Sequence, residues 1–212
     1  MLEAIVKNLE KFPLCRPQPV DDQSRSTAAV LVALINSGEI PEIILTQRAQ
    51  HLSSHPGEVA FPGGMWDAED ADLLQTALRE AKEEIGLDPA LVEVVATLPS
   101  ASPKRRNLRV TPFVGLLENP PVLVGDPSEI GSIFTVPVSY FLDIERYEYF
   151  DLIHRGESIR FPRLQYCDNQ NREYQIWGFT LRVITDMLNE TLGAELNLIY
   201  PSHQEIQLLR NS

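Results

Sequence analysis

FPGGMWDAEDADLLQTALREAKEEIGL, residues Phe61–Leu87, opens on a glycine turn and ends in an acid-rich segment. The periodicity predicts a helix over 70–85, with Asp70 as N-cap and Gly86 as a left-handed C-terminal cap. On a helical wheel Leu74, Ala77, Leu78, Ala81 and Ile85 share one stripe, which must pack on a sheet. Glu80, Glu83 and Glu84 fall on the adjoining arc, one turn from Arg79, which can pair with Glu83. Like charges at this spacing repel by about 0.2–0.5 kcal/mol per pair, and a helix C-terminus disfavours anions by about 0.3–1 kcal/mol each. A solvated acidic face is the plain alternative. The position on the dipole, the apolar flank and the preceding Pro-Gly-Gly turn favour a different reading, in which the carboxylates bind cations. Carboxylates and carbonyl oxygens are hard ligands that suit Mg²⁺ or Mn²⁺, and these ions keep open positions for substrate phosphates.

Working outward, TAAVLVALI (27–35) reads as a buried strand, NSGEIP as a turn and EIILTQR (42–48) as the partner strand. Residues 49–69 read as a loop around a brief strand, EVAF. Further strands are expected at LVEVVATL, RVTPFVGLL and SIFTVPVSYF, and a hairpin at 146–166 turning at RGES. IWGFTLRVITDMLNE reads as a late helix, and residues 1–12 as a short amphipathic one. The expected class is α/β, a sandwich around a mixed sheet, because the strand–helix alternation is too irregular for a doubly wound parallel sheet. The expected organisation is an N-terminal helix and connector (1–26), a main domain (27–192) and a C-terminal extension (193–212).

The chain has 212 residues, 43% hydrophobic and 23% charged, an ordinary globular composition. A net charge of −12 argues against nucleic acid as a partner. It leaves cations, backbone N–H groups or a local basic patch as the means of holding an anionic substrate. No apolar run approaches the roughly 18 residues of a membrane span, and the N-terminus does not read as a signal peptide. Cys15 and Cys167 lack metal-ligand spacing and read as free thiols of a reducing compartment. A cytoplasmic location is therefore expected.

The segment Arg79–Leu87, REAKEEIGL, resembles the second half of the Nudix box, G-x5-E-x7-R-E-U-x-E-E-x-G-U, with Ala81 at the bulky position. Counting from Gly64, the first acid of the box falls on Asp70, a shorter arm than glutamate, and eight residues rather than seven precede Arg79. Upstream, ILTQRAQHLSSHPGEVAFPGG (44–64) resembles the coenzyme A diphosphatase subgroup of that family. Leu45, Thr46, Arg48, Ala49, Gly57 and Phe61–Gly64 agree in register, while Ser53 stands where the subgroup carries a second arginine. RVTPFVG, FTVPVSYFLD and IWGFT also resemble the subgroup, so the likeness runs from about residue 28 to 189.

The resemblance implies a Nudix-type α/β/α sandwich with a central mixed sheet, and hydrolysis of a nucleoside diphosphate linkage. For coenzyme A or its acyl forms, the products would be 3′-phosphoadenosine 5′-phosphate and 4′-phosphopantetheine. Glu80, Glu83 and Glu84 would bind Mg²⁺ or Mn²⁺ with the Gly63 carbonyl, Glu80 would orient or deprotonate water, and Arg79 would position the glutamates. Arg48 and Gly64 would meet the substrate. The basic run Lys104, Arg105 and Arg106 is either a solvated loop or a dock for an extra phosphate. His51 and His55 read as surface residues or acid–base groups, Glu129 as a turn residue or a further site acid, and the Tyr147/Tyr149/Phe150/Tyr166 alternation as core, dimer packing or adenine stacking. A diphosphatase for ADP-ribose or a dinucleotide, and a non-hydrolytic nucleotide sensor, are the competing functions. A homodimer is compatible with such a fold.

Overall fold

In the computed structural model, which describes residues 1–19, 26–102, 108–154, 156–202 and 205, the apolar runs form the strands they predict. β1 (Ser26–Ile35) and β2 (Glu42–Arg48) meet antiparallel only at Leu34↔Ile43 and Ile35↔Glu42. They then diverge, and the segment that follows β2 wedges in between them. β3 (Val59–Ala60) pairs with β2, and β4 (Gly63–Met65) pairs with β1 through Ala28–Val30. β4 lies in what the sequence reads as loop. Its three residues carry no hydrophobic alternation, so only the long-range pairing with β1 makes them a strand.

β5 (Glu93–Thr97) pairs antiparallel with β6 (Leu108–Leu117), and β6 runs parallel to β1 over its whole length. β7 (Ile130–Pro137) pairs with the outer edge of β2, completing a mixed sheet of seven strands. The expected strand at 132–141 therefore ends earlier, and its last residues form the short helix Val138–Phe141.

The core lies on both faces of this sheet, which explains why β1 is a continuous apolar run rather than an alternating one. Ala29, Leu31, Ala33 and Ile35 face the helix at 73–85, against Leu74, Ala77, Ala81 and Ile85. Val32 and Leu34 face the opposite layer. That layer holds α1 (Leu2–Leu9), the late helix Gly178–Leu192, and a second sheet of β8 (Tyr147–His154), β9 (Glu157–Cys167) and β10 (Glu173–Trp177). Ile176 and Trp177, expected in the helix, belong to β10, where Tyr174 and Ile176 alternate inward. The helix starts at Gly178, whose φ of +64° is open to glycine.

The aromatic residues of this alternation make packing contacts within the chain. Phe150 meets Trp177 edge-on at 5.3 Å, Tyr166 meets Tyr140 at 5.0 Å, and Tyr147 donates to the Phe141 carbonyl at 2.6 Å. Cys15 and Cys167 are free and exposed. Among the described residues no helix is long and apolar enough to cross a membrane.

Candidate active site

The acid-rich helix, α2, spans Leu73–Ile85, and its N-cap is Asp72, not Asp70. Asp72 accepts from the Gln75 N–H at 2.9 Å. The extra residue of the motif is absorbed ahead of the helix, and this frees Asp70 for another bond. Asp70 Oδ1 accepts from Arg79 Nε at 2.9 Å and Oδ2 from Nη2 at 3.0 Å, a two-pronged pair. Thr76 Oγ1 and the Asp67 N–H also donate to Oδ2, at 2.9 and 3.1 Å. Burial alone would raise the Asp70 pKa, but the Arg79 fork and these two donors bring it below the usual carboxylate value.

Arg79 spends its remaining donors locally. Nη1 donates to Glu83 Oε2 at 2.8 Å and Glu80 Oε1 at 3.1 Å, and Nη2 donates to the Met65 carbonyl at 3.1 Å. One guanidinium therefore ties the glycine turn, Asp70 and two of the three glutamates together.

The three glutamates differ sharply. The Glu83 side chain is 59% exposed and pairs with Arg79. Glu80 is half-buried with its carboxylate over Gly64: a Cβ there would lie 2.5–2.7 Å from the carboxylate atoms. Burial raises the Glu80 pKa, with Glu83 and Glu129 adding to the rise and Arg79 opposing it. Glu84 is 6% exposed and accepts from the Gly63 N–H at 3.0 Å. Its pKa is pushed up to about 7, first by burial and then by Glu80 and Glu129, against the Gly63 N–H and Arg48.

Gly63 has φ +148°, and a Cβ there would strike the Ala29 carbonyl at 2.4 Å, so β4 can approach β1 this closely only with glycine. Ladder alternation turns the Gly63 N–H off β1 and toward Glu84, and its C=O shares that side.

The helix C-terminus is closed by a distant loop. The Val124 and Asp126 N–H groups donate to the Ile85 and Glu84 carbonyls at 3.0 and 2.9 Å, satisfying groups a helix end leaves open. The same loop carries Glu129, whose charge raises the pKa of both Glu80 and Glu84. Its carbonyl accepts from the Ala49 N–H at 2.8 Å, beside Arg48. Glu129 thus joins the neighbourhood of the site, although in sequence a turn residue is the simpler reading. Only the tertiary pairing of the loop with the helix end brings it there.

Arg48 ends β2 at a register shift and lines a cleft of about 510 Å³ that also touches Gly63 and Gly64. His55, with φ +56°, binds Glu58 at 2.7 Å on that wall, whereas His51 Nε2 lies 3.2 Å from the Ser128 carbonyl. Ser53 is exposed. Lys104, Arg105 and Arg106 lie outside the described residues.

With Glu80 and Glu83 drawn to Arg79, no group of three or more His, Cys, Asp or Glu side chains among the described residues is gathered as a ready-made metal cage. The donor set nonetheless fits a hard divalent cation. Glu84 is a buried carboxylate held by the Gly63 N–H, Glu80 lies close enough to raise its pKa, and the missing Cβ of Gly64 leaves room for the Glu80 carboxylate.

A NUDIX domain profile matches residues 25–152. The Nudix hydrolase NudL of Enterobacter sp. (strain 638) is 38% identical over 182 residues, covering 84% of this chain and 90% of that protein. NudL of Salmonella typhimurium is 37% identical over the same shares. A Nudix hydrolase structure from Alicyclobacillus acidocaldarius superposes with a TM-score of 0.51 at 16% identity, covering 87% of this chain and all of that one, a likeness of fold.

Proposed function

The chain belongs to the Nudix family, a hydrolase acting on the diphosphate linkage of nucleoside derivatives, and on that premise we propose that its substrate is coenzyme A or an acyl-coenzyme A. Water attacks one phosphorus of the P–O–P bridge, and the bridging oxygen leaves with the other phosphate. The products are 3′-phosphoadenosine 5′-phosphate and 4′-phosphopantetheine. The observation that carries the hydrolytic reading is Glu84, buried on α2 beside Glu80 and held by the Gly63 N–H of the glycine turn, where a Cβ on Gly64 would strike the Glu80 carboxylate.

Nudix hydrolases use divalent metal ions; here Glu80, Glu83, Glu84 and the Gly63 carbonyl would hold Mg²⁺ or Mn²⁺. When bound, such ions polarise phosphoryl oxygens and acidify water. Arg79 and Asp70 fix the base of the acid cluster. Glu80, on the open side of Gly64, is the candidate to orient or deprotonate the attacking water. Arg48 enters the cleft where a phosphate oxygen would pass and offers a planar fork for it.

The subgroup motif supports the choice of coenzyme A. Its pieces, Thr46–Ala49, Gly57 and Phe61–Gly64, converge at the β2–β3–β4 wedge beside the acids. Ser53 in place of an arginine favours a second reading, a diphosphatase for ADP-ribose or a dinucleotide. A panel of coenzyme A, ADP-ribose, NADH and dinucleoside polyphosphates with Mg²⁺ and Mn²⁺ decides between them. Hydrolysis of ADP-ribose or a dinucleotide with higher kcat/KM than every coenzyme A species would reject the first reading.

A further inference from the structure

Asp126, in the loop between β6 and β7, is bonded to two separate parts of the site. Its N–H donates to the carbonyl of Glu84, on the last turn of α2, at 2.9 Å. Its own carbonyl accepts from the Glu129 and Ile130 N–H groups at 3.1 and 2.7 Å. Its Oδ1 accepts from the Ser128 N–H at 2.8 Å and the Ser128 hydroxyl at 2.7 Å. Asp-Pro-Ser is a turn sequence with a mechanism: the carboxylate takes the N–H two residues on, and proline fixes the backbone between them. The bonds from Ser128 hold the Asp126 carboxyl below its usual pKa. The turn is anchored on both sides, because Ile130 belongs to the core under α2 and Leu123 packs against it.

From this turn the chain enters β7 and meets Arg48. The Glu129 carbonyl accepts from the Ala49 N–H at 2.8 Å, and Ile130 is the ladder partner of Arg48. The β2–β7 register shifts between Gln47 and Arg48, with Gly131 passed over. An irregularity of this kind disrupts the ladder locally and re-aims a side chain, so the regular pairing of β2 does not by itself fix where Arg48 points. Arg48 lines the cleft at Gly63 and Gly64, and its charge acts on Glu84. Its aim therefore depends on the backbone of 128–130, which the Asp126 carboxylate closes into a turn.

Resting on the reading of Arg48 as a phosphate contact, we propose that Asp126 is a positioning residue: through the Ser128–Ile130 backbone, its carboxylate sets the aim of Arg48 onto the diphosphate of the substrate. The tie to Glu84 is made by the main chain and survives loss of the side chain. Removing the carboxylate therefore acts on substrate binding rather than on the chemical step.

The test is a double-mutant cycle on the metal-loaded full chain, with coenzyme A as substrate, or ADP-ribose should coenzyme A not be turned over. Asp126→Ala should raise KM roughly fivefold, the weight of about one ordinary hydrogen bond, with kcat within about twofold. Asp126→Asn keeps the Oδ1 acceptor and should bring KM back to within about twofold of the unmodified protein. Beside Arg48→Ala, Asp126→Ala should add nothing, because no guanidinium is left to aim. KM effects that multiply in the double variant overturn the inference. So do an unchanged KM in Asp126→Ala, a fall in kcat at unchanged KM, which would mean that the turn acts on the acids of α2, and an asparagine variant as impaired as the alanine one. If Arg48→Ala alone leaves KM unchanged, the reading of Arg48 falls and this inference with it. Should Asp126→Ala not fold, the cycle runs with Ser128→Ala, which removes only the hydroxyl donor and should show the same pattern at smaller size.

Discussion

Replacing Glu84 by glutamine keeps the shape of the side chain and the acceptor for the Gly63 N–H, but removes the charge. A carboxyl whose pKa rises from 4.5 to about 7 on folding loses about 3 kcal/mol when it ionises in the fold, an upper bound that water penetration and side-chain relaxation reduce to about 1–2 kcal/mol. The sign follows from proton counting. Between pH 4.5 and 7 the folded state binds the proton more tightly than the unfolded chain, so this group's contribution to stability falls as pH rises and is flat above 7. In metal-free protein, Glu84→Gln should therefore match the wild type near pH 4.5 and exceed it at pH 8. For a chain of this length the difference is about 2–8 °C in Tm. Hydrolysis should fall roughly 100-fold or more, as for loss of a preorganised charge at a reacting centre. The assay is thermal unfolding of chelator-treated protein at both pH values, paired with turnover in Mg²⁺. A variant no more stable at pH 8 than the wild type would refute the account of Glu84 as a strained buried charge. A folded variant turning over within twofold of wild type would refute its catalytic role.

Gly64→Ala places a Cβ 2.5–2.7 Å from the Glu80 carboxylate, which must swing away; unfolding should change by no more than about 1 kcal/mol while kcat drops more than roughly tenfold. Comparing denaturant midpoints with kcat checks this, and unchanged turnover would mean that Glu80 does not work from that position. Asp70→Asn breaks the two-pronged pair with Arg79 and should cost about 3 kcal/mol in urea unfolding, the lower end for a buried pair because Arg79 is 27% exposed. Arg48→Ala should raise KM for the diphosphate substrate roughly tenfold with little change in Tm, in keeping with one charge-assisted hydrogen bond. Neutralising Lys104, Arg105 and Arg106 together should weaken coenzyme A binding more than dephospho-coenzyme A binding in calorimetry; equal losses would remove the proposed phosphate dock.

The acid cluster, the apolar stripe of α2, the left-handed cap at Gly86 and the double-sided strand β1 were all legible as sequence. Each depends on contacts within a few residues or on a periodicity that burial imposes along one element. The pairing of Arg79 with Glu83 is of the same local kind, one turn along a helix. β4 was not legible, because Gly63–Met65 has no side-chain pattern to betray a strand whose pairing is set by β1 some 35 residues earlier in the chain. The N-cap shift from Asp70 to Asp72 escaped for a related reason. Both acids suit a cap, and the choice turns on which of them Arg79 and Thr76 capture.

By itself, then, the sequence determined the chemistry on offer: which carboxylates share a helical arc, which glycines precede them, and which apolar runs must be buried. Only the tertiary structure decided how unequal those carboxylates are, with Glu84 enclosed, Glu80 laid over Gly64 and Glu83 in solvent. It also decided that Glu129 comes near them and that a cleft lined by Arg48 opens at Gly63 and Gly64. The physical reason is that desolvation and Coulomb energy depend on distance and burial in space, and neither is encoded in the spacing of residues along one helix.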